Sequence, residues 1–454
     1  MSYGGEAVGR DETGRVVFVP YAIAGETARV EIVEAKKNFA RGRVLEILEA
    51  SPDRVTPRCA HFGLRGRGEA LPDVDTNGKR SALDQTDSVL ERGVGNASPL
   101  RMHGCGGCQW QHIEYAAQLK FKTEIVREQF ARIGKMPDAP VRDAIGMREP
   151  WRYRNHAQFV LDDAGRLCYR AFESHELVRI NECHIIHPLV HEIFRAVELE
   201  DADFASVTLR AGTQTGEKMI VLESRDDEPP EIEIDEAASI AFQVPSGETV
   251  ALIGKEKLSE RLRDRAFAIS PAAFFQVNTE MAEQLVELVE KYLAPRASDT
   301  LLDAYGGVGI FGLLLAPRVA RVIEIEENPR ALDDARGNAA DLLFDSAPSP
   351  AAQALRSERV EFHAGRVEFI LPRLVAPVDI VVADPPRAGI EPRALDALIV
   401  KKPRAIAYVS CDPATLARDA RRLVDGGYRL AEVQPVDMFP QTYHIECVAH
   451  FARE

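Results

Sequence analysis

The C-terminal part of the chain alternates apolar strands with helices, and this pattern constrains the fold more than any other feature. Residues 300–304 form an apolar strand that passes through Asp303 into the glycine-rich run Gly306-Gly307-Val308-Gly309, and a helix follows. A second apolar strand, 321–325, ends at Glu326. This order is the start of a βαβ unit, in which the turn and the acid at the second strand end bind a cofactor. The pattern predicts a Rossmann-like α/β domain.

The glycine pattern narrows the choice of cofactor. The spacing from the turn to Glu326 also suits a nicotinamide dinucleotide. S-adenosylmethionine is favoured because Asp303 lies just before the turn and because the turn reads G-G-x-G. The alternative pattern, G-x-G-x-x-G, binds a pyrophosphate, which S-adenosylmethionine does not have. A tight connection without a ligand is the remaining interpretation, and the acid at the next strand end argues against it.

Two further strands end in reactive side chains. The strand 378–383 leads into Asp384-Pro-Pro-Arg-Ala-Gly, where the two prolines stiffen the turn. The strand 405–409 leads into Ser410-Cys411-Asp412-Pro413, where Asp412 and Pro413 are placed to begin a helix. The carboxyl ends of parallel strands meet at one edge of a sheet, so we expect one crevice lined by four side chains. These are Asp303, Glu326, Asp384 and Cys411.

The thiol of Cys411 lies between a strand end and a helix N-terminus. Such a position favours the thiolate, which is the nucleophilic form of cysteine. A lone cysteine is more often a packing residue, but the neighbouring acidic strand ends favour a reactive one here. Before the last strand, 446–451, His444 and Glu446 are two candidate proton acceptors at alternate positions.

The first 57 residues contain three alternating apolar segments, 15–19, 27–33 and 42–48, separated by turn residues. Period-2 patterning with short connections predicts a small antiparallel β-barrel. A basic cluster around an aromatic residue suits contact with an RNA backbone and stacking on a base, and a solvated barrel rim explains it equally well. The cluster consists of Lys36, Lys37, Phe39, Arg41 and Arg43.

Four cysteines form a candidate metal site. Cys105 and Cys108 are a C-x-x-C pair separated by two glycines, and Cys59 and Cys183 flank them at a distance. Four thiolates can hold zinc or a [4Fe–4S] cluster, and residue type alone does not choose between them. Residues 64–104 lack clear periodicity and are rich in Gly, Asp, Ser and Asn. We expect them to form an inserted surface loop.

Charge and composition limit the classes of protein to which the chain can belong. A net charge of −15 argues mildly against a nucleic-acid partner, although a local basic face is compatible with it. No run of about 18 apolar residues is present, and the first residues lack the features of a signal peptide. An odd number of cysteines, seven, argues against a disulfide framework. We expect a cytoplasmic monomer that does not bind membranes.

Five motifs, taken in order, resemble those of the RNA 5-methyluridine (uracil-C5) methyltransferase family: F-F-Q-V-N, D-A-Y-G-G-V-G, D-P-P-R-A-G, S-C-D-P-A-T and T-Y-H-I-E. The segment K-K-N-F-A-R-G-R-V resembles the TRAM domain, an RNA-binding barrel, and the cysteine pattern resembles the iron–sulfur signature of the same family. Two departures stand out. In the family the first cysteine lies only a few residues before the C-G-G-C motif, whereas here residues 64–104 separate the two. Gly306 stands where relatives more often carry Cys or Ser, and we expect either residue to fit.

The resemblance implies S-adenosylmethionine-dependent methylation of carbon 5 of a uridine in RNA, with 23S rRNA the first expectation and uridine 54 of tRNA the alternative. It implies that Cys411 adds to carbon 6, that Glu446 is the base, and that Asp384 helps to position the uracil. The implied cofactor contacts are Gln276, Tyr305, Gly307, Glu326 and Asp384. The implied ligands of a [4Fe–4S] cluster, with zinc as the alternative metal, are Cys59, Cys105, Cys108 and Cys183.

The predicted fold is therefore a multidomain α/β protein. A TRAM/OB-like β-barrel takes residues 1–57, a central α+β domain with the iron–sulfur site takes 58–269, and a Rossmann-like methyltransferase domain takes 270–454. Two other classes stay open. One is a methyltransferase acting on cytosine or on a nitrogen, and nitrogen methylation needs no thiol. The other is an RNA-binding module without catalysis, against which the presence of Cys411, Asp384 and Glu446 argues.

Overall fold

The computed structural model describes residues 1–65, 101–102, 104–199, 204–227, 237–344 and 359–453. The predicted insertion, 64–104, lies mostly outside these residues. Within the described ranges, no helix is both long and apolar enough to cross a membrane. Three larger sheets follow one another along the chain, so the fold is multidomain α/β as predicted. The three domain boundaries given above remain predictions.

The N-terminal sheet has four strands in the order β1-β2-β4-β3. They are Ala7–Arg10, Val16–Val19, Thr27–Ala35 and Phe39–Glu49. The three predicted segments are confirmed as strands, but β1 was missed because only one of its residues, Ala7, is buried and no alternation marks it. The prediction of a wholly antiparallel barrel was wrong, since β2 and β4 run parallel. Apolar alternation predicts a strand but not its direction.

The central sheet has seven strands in the order β13-β12-β11-β10-β7-β8-β9. Two short pairs accompany it: β5 with β6, and β14 with β15. The helices Tyr115–Arg132 and Pro188–Ala196 belong to the same part of the chain. The strands β5 to β15 are Leu64–Arg65, Arg101–Met102, His156–Leu161, Leu167–Arg170, Leu177–Arg179, Phe204–Ala211, Lys218–Ser224, Ser239–Gln243, Thr249–Ile253, Leu258–Leu262 and Arg265–Ile269.

The C-terminal sheet has the order β18-β17-β16-β19-β20-β22-β21. The first five strands are parallel, and β22 runs antiparallel to both of its neighbours. The strands β16 to β22 are Thr300–Ala304, Arg321–Glu326, Val360–Ala364, Ile380–Ala383, Ala405–Ser410, Arg429–Val436 and Glu446–Ala452. The helices are Thr279–Leu293, Ile310–Leu315, Pro329–Phe344, Val367–Ile370, Pro392–Lys401 and Pro413–Asp425. The predicted Rossmann-like domain is confirmed.

The order of the strands in this sheet indicates the edge at which a ligand binds. The chain leaves β16 toward β17 on one side and later returns to β19 on the other side, so the strand order reverses at β16. Ligands of open α/β sheets bind beside the carboxyl ends of the strands at such a point. The helix Tyr115–Arg132 packs into the core of this domain, where its Ile125 and Phe130 share an apolar cluster with Leu416 and Leu423.

Candidate active site

One cavity of about 610 Å³ lies at the carboxyl ends of β16, β17, β19 and β20. Its size is within the range of about 300–1,000 Å³ that is usual for small-molecule sites. Seven residues singled out from the sequence line it together: Gln276, Tyr305, Gly307, Glu326, Asp384, Cys411 and Glu446. Asp303 does not line it. Its side chain is fully buried beneath the turn and accepts a hydrogen bond from Gly312 N at 2.6 Å, so the expectation that it faces the crevice was wrong.

The glycine-rich turn needs left-handed backbone at several positions. Gly307 and Gly309 have φ values of 62° and 89°, and Tyr305 adopts 68°. This path brings Gly307 N within 2.9 Å of Glu326 Oε2, while Asn328 N lies 2.6 Å from Glu326 Oε1. The two backbone donors hold the Glu326 carboxylate at the cavity wall. A fixed carboxylate in this place is suited to accept hydrogen bonds from ribose hydroxyls.

The charge of the cavity suits S-adenosylmethionine, whose sulfonium is a cation. Six carboxyl side chains and two arginines are among the described lining residues, so the wall carries an acidic excess. The carboxyls are those of Glu326, Glu327, Glu368, Asp384, Glu391 and Glu446, and the arginines are Arg366 and Arg387. An opposite charge is favoured in such a cleft. The residues present therefore fit the cofactor that the sequence implied.

Strand pairing explains why Cys411 and Glu446 meet although they are far apart in sequence. Strand β20 pairs with β22 in a register that places Ser410 opposite Cys447. Cys411, which follows Ser410, and Glu446, which precedes Cys447, are therefore neighbours at the end of this strand pair. Asp412 then begins the helix Pro413–Asp425, and its Oδ1 accepts hydrogen bonds from Ala414 N and Thr415 N at 2.9 Å. The predicted helix start is confirmed.

The Cys411 thiol does not have the low pKa that its helix position predicted. Burial, followed by the charges of Glu446 and Asp384, raises the pKa of Cys411 to about 11, and Arg387 acts in the opposite direction. The prediction of a thiolate-favouring site was wrong because desolvation and nearby carboxyl groups outweigh the helix N-terminus. The thiol must therefore give up its proton as it reacts.

The carboxyl groups in the cavity are shifted as well. Burial raises the pKa of Asp384 to about 7. The pKa of Glu446 is raised well above its ordinary value by burial and then by the charge of Asp384, while Arg387 lowers it. The amide Nε2 of Gln276 lies 3.5 Å from Asp384 Oδ2. Perturbed carboxyl groups beside a thiol are typical of sites that move protons.

Gly306 is required where it stands, contrary to the expectation that any small residue would fit. A Cβ at this position would lie 2.4 Å from Cγ and 2.7 Å from Cδ of Glu324. The Glu324 side chain is fully buried directly below the turn, and neither of its oxygens has a hydrogen-bond partner within the described part of the chain. Burial, with the charge of Asp303, raises the pKa of Glu324 well above its ordinary range.

We expect Gly306→Ser to lower the free energy of unfolding by about 1–3 kcal/mol, the usual cost of overpacking. Thermal unfolding measures it. The double variant Gly306→Ser/Glu324→Ala should recover most of the loss, because the clashing side chain is gone. Gly337→Ser is the matched control, since a Cβ there meets nothing within 4 Å. A double variant as unstable as Gly306→Ser would contradict this explanation.

A second cavity, of about 110 Å³, is lined by all four candidate ligand cysteines: Cys59, Cys105, Cys108 and Cys183. Cys59 reaches it despite the long separation, because β5 pairs with β6 and Cys105 N donates to His61 O at 2.7 Å. Backbone N–H groups also face two of the sulfurs, with Gly107 N 3.3 Å from Cys105 Sγ and His61 N 3.4 Å from Cys59 Sγ. Such bonds stabilise metal-bound thiolates.

The structure does not itself show a metal centre. Among the residues it describes, no group of three or more His, Cys, Asp or Glu side chains is close enough to hold a single ion. Burial and neighbouring cysteines raise the pKa of Cys105 to about 12, and they also raise the pKa of Cys108 well above its ordinary value. Four thiols that face one apolar cavity are costly as thiolates unless a cation compensates them. The four cysteine side chains that line this cavity are therefore candidate ligands of a metal group.

The aromatic residues of the segment 151–156 alternate with basic ones, which suits stacking on RNA, but they are only partly available for it. Tyr153 is 5% exposed and its hydroxyl donates to Pro440 O at 3.0 Å, so it cannot stack on a base. Trp151 lies 4.8 Å from the guanidinium of Arg58. In the N-terminal sheet much of the basic cluster is already paired, and its ion pairs join Lys36 to Glu34, Arg41 to Glu6 and Arg43 to Glu31.

Three lining residues had no predicted role. Phe274 is 69% exposed beside Gln276, Phe439 packs edge-on against His444, and Arg387 lies among the reactive groups. Arg387 could have been found, because it belongs to the same turn as Asp384. His444 lines the cavity too, and burial, then the charge of Arg387, lowers the pKa of its imidazole to about 4.

Comparison with known proteins agrees with this geometry. Residues 250–454 match the family model described as tRNA (uracil-5-)-methyltransferase, and residues 1–45 match the TRAM domain. An uncharacterised RNA methyltransferase of Halalkalibacterium halodurans is 34% identical, covering 96% of this chain and 92% of its own length. Another, of Caldanaerobacter subterraneus, is 33% identical over 99% of this chain and 95% of its own.

A solved structure also resembles the whole chain. It is the tRNA (uracil-54, C5)-methyltransferase of Pyrococcus abyssi in complex with S-adenosyl-L-homocysteine. The two are 25% identical with a TM-score of 0.67, and the match covers 98% of this chain and 100% of the other.

Proposed function

The chain belongs to the RNA (uracil-5-)-methyltransferase family, and on this basis we propose that it methylates carbon 5 of one uridine through a covalent bond between Cys411 and carbon 6. It is an S-adenosylmethionine-dependent methyltransferase that acts on RNA. One observation supports methylation of carbon 5 through a covalent bond. A thiol, two carboxyl groups with raised pKa values and a primary amide line a single cavity with the residues that suit the cofactor.

Carbon 5 of uracil is a poor nucleophile and needs activation. Addition of Cys411 Sγ to carbon 6 moves the electron pair of the 5,6 double bond toward the carbonyl at carbon 4, and carbon 5 becomes enolate-like. The thiol loses its proton in this step. We assign that proton to Asp384, because its carboxyl lines the same cavity and its charge acts on the thiol, and because Glu446 is needed as a base later.

S-adenosylmethionine, when bound, supplies an electrophilic methyl group. Gln276, Tyr305, Gly307, Glu326 and Asp384 would hold it and the target base at the cavity wall. Once carbon 5 carries its new methyl group, the carboxylate of Glu446 takes the remaining proton from carbon 5. The 5,6 double bond re-forms, the bond between Sγ and carbon 6 breaks, and the Cys411 thiolate takes its proton back from Asp384. The uridine must leave its stack to be reached in this way.

We propose a uridine of 23S rRNA as the first substrate and uridine 54 of tRNA as the second. The combination of a TRAM domain with a four-cysteine pattern supports rRNA. The similarity to a solved tRNA (uracil-54, C5)-methyltransferase supports tRNA. Cells with and without the gene separate the two when 5-methyluridine is mapped by mass spectrometry on both RNA classes. Loss of another methylated base, with 5-methyluridine unchanged, would overturn the proposed chemistry and favour a cytosine- or nitrogen-directed enzyme.

We further propose that Cys59, Cys105, Cys108 and Cys183 hold a [4Fe–4S] cluster, with zinc as the alternative metal. The apolar cavity they share and the backbone donors aimed at two sulfurs support this assignment. Burial raises the pKa of Cys183, and the charge of Arg154, which also lines the cavity, acts in the opposite direction and offsets part of the thiolate charge. Methyl transfer moves no electrons, so we assign the cluster a structural role.

Anaerobically purified protein should contain about four iron and four sulfide per chain and absorb visible light. Cys183→Ser should lose iron and sulfide together and unfold at a lower temperature, because buried thiols are left without a compensating cation. Cys168→Ser removes a buried thiol that does not line the cavity, and it should keep its metal. One zinc per chain without sulfide would show that the cysteines bind zinc and not an iron–sulfur cluster. The absence of any metal would reject both assignments.

A further inference from the structure

The first six residues form an arm that extends from β1 onto the catalytic domain. The arm is tied into a turn, since Ser2 N donates to Glu6 O at 2.8 Å and Gly5 N donates to Ser2 O at 3.0 Å. Gly5 O accepts a hydrogen bond from the buried indole Nε1 of Trp110 at 3.0 Å. These bonds fix where the arm lies, although it is at the end of the chain.

The arm contacts the catalytic cysteine segment through Tyr3. The Tyr3 hydroxyl donates a hydrogen bond to Asp412 Oδ2. Asp412 follows Cys411 directly, and its other oxygen caps the helix Pro413–Asp425. Tyr3 therefore contacts the residue that links the proposed nucleophile to its helix. The side of its ring stays open, because the residue is 42% exposed.

The same arm also contacts the segment that carries the proposed base. Gly5 has a φ of 84°, and a Cβ there would lie 2.5 Å from Cβ of Tyr443, so the two residues pack closely. The ring of Tyr443 lies 4.5 Å from that of His444, which lines the cavity two residues before Glu446. One short stretch of chain thus touches the segments of both reactive groups.

We propose that Tyr3 is a positioning residue that holds the Cys411 segment in its reactive arrangement from the N-terminal domain. This inference rests on the proposed role of Cys411 as nucleophile. Burial raises the pKa of the thiol most, and four charged groups face it as well: Glu446, Asp384 and Asp412, which raise the pKa, and Arg387, which lowers it. The Tyr3 hydroxyl offsets part of the charge on Asp412. Loss of the Tyr3 hydroxyl should therefore make the Cys411 thiol less acidic and hold the Cys411 segment less firmly.

The test is Tyr3→Phe, which keeps the ring and removes only the hydroxyl. We expect kcat to fall about tenfold, the equivalent of one hydrogen bond to a charged group, with KM for RNA unchanged. Alkylation of Cys411 by iodoacetamide should be slower, and its pH midpoint should move upward. Mass spectrometry of the tryptic peptide 405–418 reads this directly, because Cys411 is its sole cysteine.

The matched control is Tyr292→Phe. It removes a similar bond, from Tyr292 OH to Glu432 Oε1 at 2.7 Å, away from the cavity. It should leave kcat and the alkylation midpoint unchanged. A second variant, Asp412→Asn, keeps a side chain that caps helices well and removes the charge. In the Asp412→Asn protein the pH midpoint of Cys411 alkylation should be lower than in the wild type. Adding Tyr3→Phe to this variant should not change that midpoint.

Unchanged kcat and an unchanged alkylation midpoint in Tyr3→Phe would overturn this inference. So would equal effects of Tyr3→Phe and Tyr292→Phe. Neither result touches the proposed function, provided that Cys411→Ala is inactive. If Cys411→Ala turns over normally, the proposed function fails first.

Discussion

Replacing Cys411 by alanine should abolish methyl transfer, with a loss of more than about 10³-fold in kcat. Without the sulfur, no other thiol lines the described cavity to add to carbon 6, and carbon 5 stays a poor nucleophile. The assay is incorporation of radiolabelled methyl groups into unmodified RNA transcripts. S-adenosylmethionine affinity and the unfolding temperature should change little, because the thiol is not among the proposed cofactor contacts.

The control for this variant is Cys168→Ala, which removes a buried thiol from the central sheet, outside the residues that line the cavity. It should remain active. A Cys411→Ala protein with wild-type turnover would reject covalent catalysis. It would favour an enzyme that methylates a nitrogen, a reaction that needs no nucleophilic activation of the base.

Replacing Glu446 by glutamine should trap the enzyme on its RNA. Addition to carbon 6 does not use Glu446, but release requires removal of the carbon 5 proton. Turnover should fall by about 10²–10⁴-fold, the usual contribution of a general base. A covalent protein–RNA species should accumulate, and denaturing gels and intact mass measurement detect it. Its mass should equal protein plus RNA plus one methyl group.

The double variant Cys411→Ala/Glu446→Gln is the control, and it should form no covalent species because the sulfur is absent. A base whose pKa is raised is ionised only as the pH increases, so wild-type release should speed up with pH through the raised pKa of Glu446. If Glu446→Gln turns over slowly without any trapped species, another group removes the proton and the assignment of Glu446 is wrong.

The sequence predicted the C-terminal domain well because its signals are local. Buried strands that end in Asp384 and Cys411 are visible as apolar runs followed by turn residues, and a parallel sheet brings such ends to one edge. The helix Thr279–Leu293 has local signals as well, since Asn278 caps it and its apolar positions repeat with helical spacing.

Properties that depend on distant neighbours were not predictable. The high pKa of the Cys411 thiol comes first from burial and then from Glu446 and Asp384, which strand pairing brings beside it. The need for Gly306 comes from Glu324, a residue on the adjacent strand. The burial of Tyr153 likewise depends on the loop that contains Pro440. Side-chain periodicity contains no information on such contacts.

If this cavity exchanges the carbon 5 hydrogen of uridine for a methyl group, that hydrogen must be released to water. Unmodified RNA transcripts carrying tritium at carbon 5 of uridine are incubated with the enzyme and methyl-labelled S-adenosylmethionine. We expect tritium to enter water in equal amount to the methyl groups that enter RNA, and Cys411→Ala to release none. Methyl transfer without tritium release would contradict it, because the methylated atom would not be carbon 5 of uridine.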